Sequence, residues 1–219
     1  MQTQAVEDYL KTIYELQCKE GIVSTTALAR KMDVTAASAT GMIKKLAKLL
    51  LVSYEPYQGV ELTDSGEKIA LEVLRHHRLI ERYLSEALGV PWDQVDEEAE
   101  KLEHILSDEL ENRMDAFLGY PKTDPHGAPI PSVEGHISPS SNLRLSDLSP
   151  GQKAVIAEVS DHDPEMLRYL GELGLFPQVE ITVAATAPFE GPLTIQIGDQ
   201  ERVLGREVAQ YILMEELEG

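Results

Sequence analysis

The sequence predicts a mainly α-helical protein with a small β domain: an N-terminal winged helix-turn-helix, a helical middle region and a C-terminal SH3-like barrel. Three observations predict it. Apolar residues recur at helical spacing through the first half of the chain, interrupted by one short pair of strand signals. Six of the twelve prolines then fall between residues 121 and 150. Beyond Leu145 the apolar residues alternate in short runs, as half-buried strands do.

Val6, Leu10, Ile13 and Leu16 mark a first helix. "VSTTALARKM" starts the second, with Ser24–Thr26 as caps and Leu28, Ala29 and Met32 as its apolar face. After a short "DV" turn, "TAASATGMIKKLAKLLLV" begins a third at a threonine cap. "SYEPYQGVELT" gives two short strands around a Gln-Gly turn. This order is that of a winged helix-turn-helix, whose second motif helix enters the DNA major groove. Thr35, Ala37, Ser38 and Thr40 are short enough to bring that helix close to base edges. Lys44, Lys45 and Lys48 follow at phosphate distance. Gly41 stands where a long polar side chain would have read a base.

"TDSGEKIALEVLRHHRLIERYLSEALG" carries a capping signature and a long amphipathic pattern, and residues 91–119 read as a second long helix. Two helices with broad apolar faces do not close a core alone, which points to a dimer interface. The barrel strands are "KAVIAEV", "VEITVAA", "LTIQI" and "ERVL", with one helix in "DPEMLRYLGELG". These elements divide the chain into a winged helix-turn-helix domain at 1–71, a helical domain with the dimer interface at 72–138, a linker at 139–145 and an SH3-like barrel at 146–219.

The net charge of −19 is unevenly spread: −1 over residues 1–71, −8 over 72–145 and −10 over 146–219. Within the first segment Arg30, Lys31, Lys44, Lys45 and Lys48 face only Asp33, a local +4. Charges are screened over about 8 Å at physiological salt, so a local cluster governs a contact surface. The overall acidity therefore does not exclude a nucleic-acid partner. There is no run of eighteen apolar residues and no basic apolar leader, and the single Cys18 suits a reducing compartment, so the expectation is a cytoplasmic protein with no membrane partner.

"EEAEKLEHILSDEL", residues 97–110, packs acids around His104. As one helix it has an apolar stripe of Val95, Ala99, Leu102, Leu106 and Leu110, with Asp96, Glu100, Glu103, Ser107 and Glu111 on the opposite, solvated side. Two readings stay open from this stretch alone: a wet helix face, or a set of donors holding a cation.

The order of "VEDYLKTIYEL", "RHHRLIERYL", "EEAEKLEHILSDELENRM", "HGAPIP" and a small barrel resembles the diphtheria-toxin-repressor family of metal-dependent transcriptional regulators in its three-domain form. The resemblance runs almost end to end. It implies a cytoplasmic homodimer, a repressor that binds double-stranded operator DNA when a divalent metal is bound. It implies that Asp8, Glu100, Glu103 and His104 ligate one regulatory ion, which ties the DNA-binding domain to the dimerisation domain. A second set, His77, Glu81, Asp124, His126 and Asp161, would hold another ion, with Asp163 and Asp96 as rivals for places in it. Glu97, Glu98 and Glu109 keep the solvated-face reading, and His76 is expected at a surface or dimer contact.

Departures from the family pattern bear on the metal. Iron-responsive members have methionine and cysteine at the positions of Asp8 and Glu100, and hard oxygen in place of soft sulfur favours Mn2+, with Fe2+ as the alternative. Lys11 stands where compact two-domain manganese regulators have a further carboxylate. Leu49–Leu50 replaces a polar residue and glycine, which predicts a longer recognition helix or an extra buried contact. The expected role is a manganese-activated repressor of metal-uptake genes. The rival class, a carboxylate–histidine metalloenzyme, would need an open coordination position with a placed base, or paired Glu-x-x-His motifs, and none is visible.

Overall fold

The computed structural model describes residues 3–217, and they form two compact units. The first comprises the chain up to His77 together with Leu102–Ser107 and Pro131–His136. It begins with α1 (Gln4–Glu20), α2 (Thr25–Lys31) and α3 (Ala36–Lys48), followed by strands β1 (Val52–Glu55) and β2 (Gly59–Leu62). Ser24 caps α2 by accepting from the Ala27 amide, and Thr35 caps α3 by accepting from Ser38. Val6, Leu10, Ile13, Leu28, Ile43, Leu46 and Val60 share one buried core, so α1, α2, α3 and the wing are packed as a single body. The Gln17 side chain ties α1 to the wing by accepting from the Leu62 amide.

Two details of this unit differ from the sequence expectation. The wing turn is Pro56–Gln58, because Glu55 pairs with Gly59 and Tyr57 takes the positive φ of 68°. The leucine pair neither lengthens α3 nor is buried: the helix ends at Lys48, Leu49 is 52% and Leu50 76% exposed, and Leu50 adopts φ 60°. A left-handed residue is the ordinary way to end a helix, and it lets the Leu51 amide return to the Leu46 carbonyl. Leucine occupies a conformation that glycine takes without strain.

Helix α4 (Asp64–Leu88) starts at Thr63, whose hydroxyl accepts from the Gly66 amide. A Cβ at Gly66 would lie 2.0 Å from the Leu51 carbonyl oxygen, so only glycine fits where this helix begins. The expected single helix over 91–119 is corrected: α5 (Val95–Leu102) and α6 (Asp108–Phe117) are separated by a turn. The apolar stripe fails there too, since Leu102 and Leu110 are exposed. A continuous helix would keep Glu103 on the face of Glu100, one turn earlier. Glu100 is exposed as that face requires, whereas Glu103 is 1% exposed. The chain leaves the helix so that Glu103 and His104 can turn inward.

The second unit comprises Arg78–Lys101, Asp108–Ile130 and the chain from Ile137 onward. Its β domain has strands β3 (Lys153–Val159), β4 (Glu180–Thr186), β5 (Leu193–Ile197), β6 (Gln200–Leu204) and β7 (Ile212–Glu216), with α7 (Pro164–Leu173) and the short α8 (Arg206–Ala209). The antiparallel sheet runs β6-β5-β4-β3-β7 and forms an SH3-like domain. Ile156, Val159, Leu167, Leu170, Ile181, Val183, Ile195 and Met214 are among its fully buried residues. Strand β7 went unread in the sequence because "ILMEE" is apolar and then acidic, as an edge strand is. Trp92 packs on this core and stacks against Phe176 at 4.8 Å between ring centroids. Among the described residues no helix is long and apolar enough to cross a membrane.

Candidate metal centres and nucleic-acid face

In the first unit three of the expected ligands converge. Asp8 comes from α1, and Glu103 and His104 from the turn after α5; each offers a donor atom within 4.8 Å of the others. That is about the spread of atoms around one ion with ligand bonds of roughly 2.0–2.5 Å. His104 Nδ1 donates to Glu7 Oε2 at 2.7 Å, which leaves Nε2 as the nitrogen facing inward. That Nε2 is buried, makes no hydrogen bond, and stands 2.7 Å from Asp8 Oδ1 and 3.3 Å from Glu103 Oε1. An imidazole nitrogen fixed by a carboxylate on one side, with oxygens ahead of the other, is the arrangement that orients histidine toward a metal. The donor set fits a divalent ion.

Glu103 is engaged further. Lys11 Nζ donates to both of its oxygens at 2.7 and 2.8 Å, and His77 Nδ1 lies 2.5 Å from Oε2. Burial pushes the Glu103 carboxyl upward, but the His77 hydrogen bond and the Lys11 ammonium outweigh it and hold the group below the ordinary range. His76, expected at a surface or dimer contact, is buried with Nδ1 3.2 Å from the Glu103 carbonyl oxygen. The turn that brings Glu103 inward also brings its carbonyl to this ring. Glu100 is exposed and belongs to the second unit.

The second unit brings together Glu81 from α4 with Asp124 and His126 from the Pro-rich loop, again with donor atoms within 4.8 Å. All three are at most 1% exposed. Asp124 Oδ1 accepts from the His126 and Ala128 amides at 2.8 and 3.0 Å, which fixes the loop. Its Oδ2 is buried, makes no hydrogen bond, and lies 3.7 Å from Arg78 Nε. His126 Nε2 donates to the Trp92 carbonyl at 2.7 Å, which turns its unsatisfied Nδ1 toward Glu81 Oε1 at 3.6 Å. Gly127 has φ 94°, and a Cβ there would meet the Ala157 carbonyl at 2.0 Å, so glycine lets this loop press on β3. The orphaned oxygen and nitrogen make this donor set, too, one that a cation would satisfy.

Burial and the Glu81 charge push the Asp124 carboxyl up to about 7. For His126, burial pulls downward, but the Glu81 and Asp124 carboxylates outweigh it and the imidazole pKa is raised. Asp161 is half-buried and acts on both groups electrostatically. Asp163 does not join them: its Oδ1 accepts from the Glu165 and Met166 amides as the cap of α7. Asp96 is exposed in the first turn of α5, with a carboxylate oxygen within 4.8 Å of one from Glu81. Glu97, Glu98 and Glu109 are exposed and pair with Lys101 and Arg113.

On α3, Thr35, Ala37, Ser38, Lys44, Lys45 and Lys48 are exposed, while Thr40 is half-buried and donates to the Ala36 carbonyl. Ala39, Ile43 and Leu46 form the opposite, buried face. The cationic face is thus free of the core. Sequence reasoning missed Glu7, His76 and the Trp92 carbonyl, and met Lys11 only as a departure from a pattern. Glu7 precedes Asp8 in the chain and so gave a signal; a backbone carbonyl gives none.

Family models agree with this layout. Residues 1–60 match the iron-dependent repressor N-terminal DNA-binding domain, residues 63–132 the iron-dependent repressor metal-binding and dimerisation domain, and residues 143–216 the FeoA domain. The chain is 32% identical to the iron-dependent repressor IdeR of Mycobacterium tuberculosis, with 96% of each chain covered. Among solved structures it resembles a manganese-dependent transcriptional repressor in complex with manganese, at 39% identity and a TM-score of 0.88 over 97% of this chain and 100% of that one. It also resembles the manganese regulator SloR, at 34% identity and a TM-score of 0.76 over 97% and 98%.

Proposed function

Because the chain belongs to the iron-dependent (diphtheria-toxin) repressor family, whose members are metal-dependent, DNA-binding transcriptional repressors and not enzymes, we propose that this member is activated by manganese. The observation that carries the proposal is the donor set at the first centre. Asp8, Glu103 and His104 offer carboxylate oxygen and imidazole nitrogen, and the family pattern implies Glu100, three residues before Glu103, as a third carboxylate. No sulfur stands among them, and oxygen-rich sets suit the harder early ions of the divalent series. The second set would be Glu81, Asp124 and His126, with Asp161 completing it. Residues 1–71 would serve as the DNA-binding domain and 72–138 as the dimerisation domain of a cytoplasmic homodimer controlling metal uptake.

When bound, the ion supplies positive charge that neutralises these clustered carboxylates and fixes their positions. The rest is the work of the chain. Asp8 lies between Val6 and Leu10, both buried in the core shared with α3, so a restraint on Asp8 is a restraint on the recognition helix. Holding α1 narrows the poses of α3 before DNA is met, and less ordering is left for the binding step. Thr35, Ala37, Ser38 and Thr40 then face the bases, and Lys44, Lys45 and Lys48 the phosphates. Operator binding should accordingly fall steeply with salt as condensed counterions are released.

Several sequence relatives, IdeR among them, are named for iron, so iron activation is the second reading. The double variant Asp8→Met, Glu100→Cys separates the two. It should shift the ratio of iron to manganese activation midpoints toward iron by about tenfold, measured anaerobically by operator binding; tenfold requires only about 1.4 kcal/mol. An active double variant with an unchanged ratio would remove these residues as the source of metal preference.

A further inference from the structure

The first centre already holds a cation of its own. Lys11 lies one turn after Asp8 on α1, and its side chain is 10% exposed. Its ammonium sits 2.7 and 2.8 Å from the two Glu103 oxygens and 3.4 Å from His77 Nδ1. The oxygen at 2.7 Å is Oε1, the one that also faces His104 Nε2. An ion seated among Asp8, Glu103 and His104 therefore meets a carboxylate that is already neutralised.

We infer that Lys11 is an internal competitor for the metal, and that its ammonium sets the concentration at which this centre fills. The inference rests on the reading of Asp8, Glu103 and His104 as the ligand set. Two routes exist for a divalent ion to reach Glu103, and both cost affinity. If the carboxylate shares the two cations, a single and a double positive charge stand close together where burial weakens screening. If the ammonium leaves, two short charge-assisted hydrogen bonds to a buried carboxylate are lost.

The same contacts explain why a lysine is useful here. Glu103 is 1% exposed, and a buried carboxylate without a counter-charge is unfavourable. The ammonium keeps the metal-free centre ionised and in place, so the ligands wait in position while the threshold for filling is raised. A sensor must ignore metal below its working range, and an internal cation achieves that without altering a ligand.

The test measures manganese binding directly, by the electron paramagnetic resonance signal of free aqueous Mn2+ and by calorimetry. The full-length protein carries His126→Ala so that the first centre dominates the signal. Lys11→Met removes the charge at similar length; Lys11→Gln does so while keeping a donor for Glu103, should the methionine variant fold poorly. Lys11→Arg retains the charge. The expected result is manganese binding tighter by about tenfold or more in the Met and Gln variants and within about threefold of the parent in the Arg variant. Unchanged or weaker binding by a folded neutral variant would overturn the inference. A parent that binds no manganese, or a His104→Ala variant that binds it as the parent does, would overturn the ligand assignment itself, and the role of Lys11 with it.

Discussion

The two centres confine similar groups and manage their charge differently. At the first, the Lys11 ammonium lies on a buried carboxylate, and Glu103 stays below the ordinary carboxyl range despite its burial. At the second, Arg78 Nε stands 3.7 Å from the Asp124 carboxylate, Glu81 stands beside it, and the Asp124 carboxyl rises to about 7. A fixed cation offsets the buried carboxylate of the first centre, whereas at the second burial and the neighbouring carboxylate favour a proton on Asp124. Metal binding at the second centre should therefore strengthen as pH rises through about 7.

The largest effect should separate the centres by residue. His104→Ala removes the one imidazole that Glu7 orients at the first centre, and manganese-dependent operator binding should weaken by about 100-fold or more, a loss of about 2.7 kcal/mol. His126→Ala and Asp161→Ala should each lower the number of ions bound per subunit, by calorimetric stoichiometry, while the dimer persists in sedimentation. If both bind as many ions as the parent, the Asp124–His126 loop is structural and only one centre remains.

A smaller effect follows from the proton. A carboxyl whose pKa is raised on folding favours the protonated folded state, so its contribution is full below the unfolded value of about 3.8 and is lost as pH climbs through about 7. Metal-free protein should lose stability over that window, as read by thermal melts at stepped pH. Manganese should restore it near neutrality, and Asp124→Asn should flatten the dependence. A metal-free parent whose melting temperature matches the asparagine variant at every pH would show that Asp124 holds no such proton.

Much of this was legible in the sequence, and the failures share a cause. Helices α1 to α4 were read because their caps and apolar spacing are local, and the grouping of Asp8, Glu103 and His104 was read from the motifs that resemble the family. The break after Leu102 was not, because Leu102, Leu106 and Leu110 keep helical spacing straight through it. What ends the helix is the inward turn of Glu103 toward Lys11 and His77, partners far away in the chain. The His76 contact with Glu103 went unread for the same reason: a backbone carbonyl has no sequence signature. Leu50 shows the converse, a residue type that predicted burial and instead ends a helix with φ 60°.

On the proposed reading, metal at the first centre licenses operator binding, with manganese as the activating ion. The most direct measurement is operator affinity of the unmodified protein in chelator and across parallel anaerobic titrations of manganese, iron and zinc at fixed salt. Manganese control predicts no specific binding in chelator, full binding with manganese, and an iron midpoint no lower than the manganese midpoint. Equal operator affinity in chelator and in excess manganese would contradict metal control altogether, and an iron midpoint about tenfold or more below that of manganese would contradict the choice of metal.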